Sequence, residues 1–169
     1  MKLSKHRIFI SGGAGVIGQE LVKILYNEGA KLFIGDLKKK PKSFKDDIVY
    51  RQGDLNYIKD EELIEFNPNI FIHLAAINGT KNFYERPIEV MDVGVLGVIN
   101  IFKYCDQMSI PKVVVASSAE VYQKPKILPT PEDENHWAQE GEWQAGWGRE
   151  SQQAQVHELW SIDRCILGL

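Results

Sequence analysis

Three glycines spaced three apart, set between an apolar run and a helical pattern, constrain this chain more than any other feature in it. Ile8-Phe9-Ile10 reads as a short buried strand, and Ser11-Gly12-Gly13-Ala14-Gly15-Val16-Ile17-Gly18 follows at once. Leu21, Val22, Ile24 and Leu25 then recur at helical spacing. In such a strand–turn–helix Gly12 permits the tight turn, Gly15 lets backbone approach a pyrophosphate, and Gly18 lets helix pack closely on strand. The helix N-terminus, beginning at Val16 and Ile17, adds backbone N–H groups and the positive end of a dipole. Glycine spacing alone is a weak signal. The strand before it and the helix after it make it a dinucleotide-binding fingerprint, with Gly12, Gly15, Val16, Ile17 and Gly18 as cofactor-binding candidates.

A second element lies at the end of the next apolar run, Lys31-Leu32-Phe33-Ile34-Gly35-Asp36. Asp36 falls about 20 residues beyond the glycines, where a carboxylate can accept from the adenosine ribose hydroxyls. A carboxylate there disfavours the extra phosphate of NADP, and NAD is the expected cofactor. Lys38, Lys39 and Lys40 admit two readings: a solvated loop before Pro41, or cations able to neutralise that phosphate.

At 169 residues the chain is the size of one ordinary domain, and a single domain over 1–169 is expected. Its apolar content of 44% and charged content of 25% are those of a globular protein. A net charge of −3 gives no reason to expect nucleic acid or an anionic membrane as partner. No apolar run approaches the ~18 residues of a membrane span, and Met1–Arg7 lacks the apolar core of a secretory signal. Cys105 and Cys165 have neither metal-site spacing nor disulfide density, and His6, His73, His136 and His157 are scattered, so no metal site is expected. Reduced thiols and a cytoplasmic location are the expectation.

Strand and helix patterns alternate, which predicts an α/β fold: a Rossmann-like, doubly wound parallel sheet with helices on both faces. Strands are expected near 7–11, 31–35, 47–51, 69–74, 112–117 and 163–167, and helices near 16–28, 57–66, 87–107 and 148–160. The 87–107 segment is apolar nearly all round, through Ile88, Val90, Met91, Val93, Val95, Leu96, Val98, Ile99, Ile101 and Phe102. A helix apolar on every side must be covered on every side. The sheet covers one face, and a second subunit is expected on the other, giving a homodimer. All four tryptophans fall after residue 126, while no lysine does. A substrate-contacting lid and an altered tail both fit that shift.

The glycine motif and Asp36, with three further signatures, resemble the extended short-chain dehydrogenase/reductases, specifically the NAD-dependent epimerase/dehydratase family acting on nucleotide sugars. Gly53-Asp54-Leu55 looks like the family's acidic pair beside the adenine, where Asp54 accepts from the exocyclic amine and Leu55 packs on the ring edge; alone, Asp54 is an ordinary turn residue. His73-Leu74-Ala75-Ala76 resembles the element that closes the fourth strand, where the small residues let the cofactor cross the sheet crevice; His73 itself reads as a packed core residue. Val113 to Tyr122 looks like the family's strand ending in Ser-Ser and followed by Val-Tyr. The resemblance implies that Ser118 hydrogen-bonds the substrate oxygen undergoing oxidation; a turn or helix cap is the structural alternative. Asn78 and Thr80, after the fourth strand, stand where related enzymes face nicotinamide and sugar. Gly94, Gly97 and Asn100 occupy the family's Asn-x-x-Gly-x-x-Asn pattern with Gly94 replacing the first Asn.

The family's hydride chemistry relies on Tyr-x-x-x-Lys, in which the ammonium lowers the phenol's pKa so that the phenolate takes the hydroxyl proton. The segment that best aligns with it places Trp147 at the tyrosine and Ser151 at the lysine. Trp147 has no titratable group and its indole only donates. Tyr122 and Lys126 match the spacing literally, but Pro125 lies between them and disrupts a helix there. Ile162 to Leu167 looks like the sixth strand, after which the family continues into a nucleotide-sugar-binding region; that region is expected to be absent. Two functions follow as expectations: a nucleotide-sugar epimerase or dehydratase impaired by the missing pair, or a non-catalytic NAD-binding module or fragment.

Overall fold

Ile8, Phe9 and Ile10 are almost wholly removed from solvent, as are Phe33, Ile34 and Phe71, because each sits on a strand covered on both faces. The structure, a computed structural model, describes residues 3–54, 61–117 and 127–129. Ser118, Leu55, Trp147, Ser151, and the segments expected near 148–160 and 163–167, lie outside the described residues. Backbone proximity separates residues 1–116 from 117–169, and the elements below all belong to the first unit.

Five strands, β1 (Arg7–Ser11), β2 (Lys31–Asp36), β3 (Val49–Gln52), β4 (Ile70–His73) and β5 (Val113–Val115), form one parallel sheet in the order β3-β2-β1-β4-β5. Helix α1 (Val16–Asn27) crosses from β1 to β2, α2 (Glu61–Phe66) precedes β4, and α3 (Thr80–Glu85) follows it. A long helical segment then runs through α4 (Pro87–Met91), a π-helical stretch Asp92–Leu96, and α5 (Gly97–Gln107). Over the described residues the alternation expected from the sequence is the one observed. Strand boundaries move by one or two residues, the short α3 had no signal in the apolar pattern, and the helix expected over 87–107 carries a π stretch at its middle.

Residue parity along the strands divides the core in two. Ile8, Ile10, Leu32 and Ile34 point to the α1 side and pack with Val22, Ala30, Phe44 and Ile48. Phe9, Phe33 and Phe71 point to the other side and pack with Leu63 of α2 and Ile101 and Cys105 of α5. Parallel register places these three phenylalanines in one row across β2, β1 and β4. Their rings meet edge to face, with centroids 5.5 Å (Phe9–Phe33) and 4.6 Å (Phe9–Phe71) apart, an arrangement favoured by the ring quadrupoles.

The long helical segment buries Val90, Gly97, Val98, Ile101 and Cys105 but exposes Ile88, Leu96 and Ile99. Burial pushes the Cys105 thiol up to about 12, which leaves it an inert core group. Among the described residues no helix is long and apolar enough to cross a membrane.

Candidate functional site

The strand order reverses direction between β1 and β4: β2 and β3 extend the sheet to one side, β4 and β5 to the other. In open parallel sheets the crevice at the carboxyl ends of the strands flanking such a switch point receives the ligand. The glycine loop Gly12–Gly15 leaves β1 at that place, and Leu74, Ala75 and Ala76 leave β4 beside it. The two exits touch. Gly12 has φ +74, and a Cβ added to it would stand 2.6 Å from the Ala75 nitrogen, so no side chain fits at residue 12.

Gly18, in the first turn of α1, packs against the backbone of Gly12 and Gly13, which holds the helix start down on the loop. Gly15 is the N-cap residue in extended geometry, with no side-chain cap on the helix. The leading N–H groups of an α-helix have no intrahelical partner, so this end is suited to an anion. Val16 and Ile17 are 88% and 72% exposed. Such exposure of adjacent large apolar side chains at a helix N-terminus fits a surface that an adenine dinucleotide can cover.

Asp36 is brought to the same loop. Its Oδ2 accepts the Ala14 N–H at 2.9 Å and its Oδ1 accepts the Lys38 N–H at 2.9 Å, with the residue 9% exposed. A carboxylate has about four lone-pair sites, so two backbone bonds fix its orientation and leave capacity for a ribose diol. Nothing local in the sequence signals the Ala14 N–H, which is aimed at a residue 22 positions away. The Gly53 N–H donates to the Asp36 carbonyl at 2.9 Å, which draws the end of β3 toward the same corner and carries Asp54, exposed, with it.

Ser11 and His73, at the carboxyl ends of β1 and β4, are paired in register, and Oγ and Nδ1 share one hydrogen at 2.6 Å. His73 is buried and stacks near Phe71 at 6.3 Å, and burial lowers its pKa to about 4. It is therefore neutral at ordinary pH, a strap across the switch point rather than a proton carrier. Asn78 is exposed on the loop after β4; its carbonyl accepts from Asn82 Nδ2 at 2.6 Å, and Asn82 Oδ1 accepts from Arg86 at 2.7 Å. Thr80 begins α3 next to it. Among the described residues no three His, Cys, Asp or Glu side chains group as a metal site would require.

The arrangement resembles known proteins in sequence and in fold. The family model for the NAD dependent epimerase/dehydratase family matches residues 8–142. A putative UDP-glucose 4-epimerase of Methanocaldococcus jannaschii is 34% identical over 137 residues, covering 76% of this chain and 43% of its own length. The structure of MoeE5 in complex with UDP-glucuronic acid and NAD superposes with a TM-score of 0.60 at 31% identity, over 68% of this chain and 38% of that one. A UDP-glucose 4-epimerase from Stenotrophomonas maltophila with bound NAD shares the fold, with a TM-score of 0.71 at 19% identity over 92% of this chain and 47% of that one. This chain spans about two fifths of the length of the curated relatives it matches (43%, 42% and 39% for three of them).

Proposed function

This chain belongs to the NAD dependent epimerase/dehydratase family, and on that premise we propose that it binds NAD at the switch point and serves hydride transfer at a carbon of a nucleotide sugar. One observation supports the cofactor half above all: the Asp36 carboxylate is fastened to the glycine loop by the 2.9 Å bond from Ala14, at the reversal of the sheet. Gly12, Gly15, Val16, Ile17 and Gly18 then cradle the pyrophosphate, and Asp36 takes the ribose hydroxyls. By the family resemblance, Asp54 and Leu55 would lie beside the adenine. Leu74, Ala75 and Ala76 leave room for the dinucleotide to cross the crevice, and Asn78 faces its nicotinamide end.

Bound NAD supplies a reversible hydride acceptor. By the family resemblance, the chain's own candidate for the chemical step is Ser118, which would hold the reacting oxygen of the sugar. The proton on that oxygen needs a base, and the residues that best align with the family's Tyr-x-x-x-Lys are Trp147 and Ser151. Neither accepts a proton near neutral pH, and general acid–base groups typically contribute ~10²–10⁴-fold. Those two residues favour a second reading, a non-catalytic NAD-binding module. The exposed Ile88, Leu96 and Ile99 support a homodimer through the 87–107 helix in either case.

Titration of the purified chain with NADH and NADPH, followed by energy transfer from tryptophan to the nicotinamide, tests the cofactor assignment. Saturable binding that prefers NADH, weakened about tenfold or more in Asp36→Asn by loss of a charged hydrogen-bond acceptor, is the expected result. A folded chain that binds neither nucleotide refutes it. Turnover of UDP-sugars with NAD then separates the two readings, since a module binds without reducing the cofactor.

A further inference from the structure

Asp36 is one end of a longer arrangement. Beyond β2 the chain turns through Leu37, Lys38, Lys39 and Lys40, and β3 holds that turn from beside it. Tyr50 donates its hydroxyl to the Lys38 carbonyl at 2.7 Å, and Gln52 Nε2 donates to the Leu37 carbonyl at 3.2 Å. The two residues are separated by one position on β3, so their side chains leave the strand on the same face. Lys40 donates its ammonium to the Ile48 carbonyl at 2.9 Å, which commits one of the three consecutive lysines to the backbone. The turn so pinned delivers the Lys38 N–H to Asp36 Oδ1.

We propose that Tyr50 and Gln52 are positioning residues that set this chain's preference for a ribose 2′-hydroxyl over a 2′-phosphate, by holding the 37–40 turn closed on the Asp36 carboxylate. The inference rests on the NAD reading above and adds the means of selection to it. A 2′-phosphate beside Asp36 meets a carboxylate that its two backbone donors keep in place. To accept the phosphate the turn must open, the carboxylate must rotate away, and the exposed Lys38 or Lys39 must swing inward. The two donors from β3 oppose that opening. Burial first, and the Asp36 charge second, push the Tyr50 hydroxyl up to about 12, so it remains a donor at any ordinary pH. The Tyr50 ring packs on Phe44 with centroids 6.2 Å apart, a contact that Tyr50→Phe retains.

The test is the ratio of dissociation constants for NADPH and NADH, measured on the full chain and its variants by energy transfer from tryptophan. In Tyr50→Phe the ratio narrows about fivefold, the factor one neutral hydrogen bond typically sets. Gln52→Met narrows it in the same direction and carries the test if circular dichroism shows that Tyr50→Phe does not fold. Tyr26→Phe is the control, because it removes a hydroxyl bonded to Asp47 (3.0 and 3.1 Å) at the far end of the same β2–β3 connection; its ratio stays at the wild-type value. An unchanged ratio in folded Tyr50→Phe or Gln52→Met, with a wild-type chain that prefers NADH, overturns this inference and leaves the NAD reading standing. An equal shift in Tyr26→Phe overturns it too. A wild-type chain that binds neither nucleotide, or prefers NADPH, overturns both.

Discussion

Substituting alanine at Gly18 and at Gly94 produces opposite effects from the same chemical change. Both glycines lie within helical stretches, Gly18 in α1 and Gly94 in the π-helical turn before α5. Alanine in place of glycine in a helix interior gains ~0.5–1 kcal/mol. At Gly94 a Cβ meets nothing within 4 Å, so the full gain remains. At Gly18 it falls 2.6 Å from Gly13 Cα, where ordinary contact begins near 3.4 Å, so backbone must retreat by about 0.8 Å. That backbone is the loop itself, tied by Gly12 N–H to the Gly35 carbonyl at 2.8 Å, Gly15 N–H to the Gly12 carbonyl at 3.1 Å, and Ala14 N–H to Asp36. Overpacking costs ~1–3 kcal/mol, and a broken backbone bond ~1 kcal/mol more. The net is a loss of about 2 kcal/mol for Gly18→Ala and a gain of about 0.5–1 kcal/mol for Gly94→Ala. With a urea slope of about 2 kcal/mol/M for a chain of this size, the midpoint falls by about 1 M in the first and rises by about 0.3–0.5 M in the second, followed by far-ultraviolet circular dichroism. NADH titration of Gly18→Ala shows weakened binding, and Gly94→Ala is unaffected. A Gly18→Ala midpoint at or above wild type refutes the close-packed loop.

Three further outcomes are expected. Phe9→Ala, which empties the middle of the phenylalanine row, lowers stability by ~3–5 kcal/mol, read from the same urea curves. His73 refuses a proton down to about pH 4 in the folded chain, while the unfolded chain takes one up near 6.5. Stability therefore falls as pH drops through that window, by about 3 kcal/mol at ~1.4 kcal/mol per unit, and a His73→Asn variant with the same pH profile as wild type refutes this. Leu96→Asp on the exposed side of the long helical segment converts the proposed dimer to a monomer that keeps its far-ultraviolet circular dichroism, read by sedimentation velocity, with a lower urea midpoint because the partner no longer stabilises the folded state; a wild-type chain that sediments as a monomer refutes the interface.

The glycine loop and the acid it meets were legible in the sequence because their determinants are local. Gly12, Gly15 and Gly18 encode a turn and two close approaches within seven residues, and Asp36 closes the strand that follows. The roles proposed for Ser118 and Leu55 rest only on their neighbours' likeness to a family, since a serine or leucine alone specifies nothing. The short α3 carries no such local signal: Thr80-Lys81-Asn82-Phe83-Tyr84-Glu85 has no apolar stripe, and none of its residues is buried.

What the sequence determined by itself was element type and order, since hydrophobic period and turn chemistry act within a few residues: buried runs at Ile8–Ile10 and Leu32–Ile34, a helix from Val16, an acid at the end of β2. The tertiary structure alone decided which strands adjoin, β3-β2-β1-β4-β5, and hence where the crevice opens. It alone joined Ser11 to His73 across 62 residues, aimed Ala14 at Asp36, and brought Tyr50 and Gln52 to the carbonyls of the 37–40 turn. Each of these bonds joins groups that no local pattern correlates, and each forms only once hydrophobic burial has paired the strands that carry them.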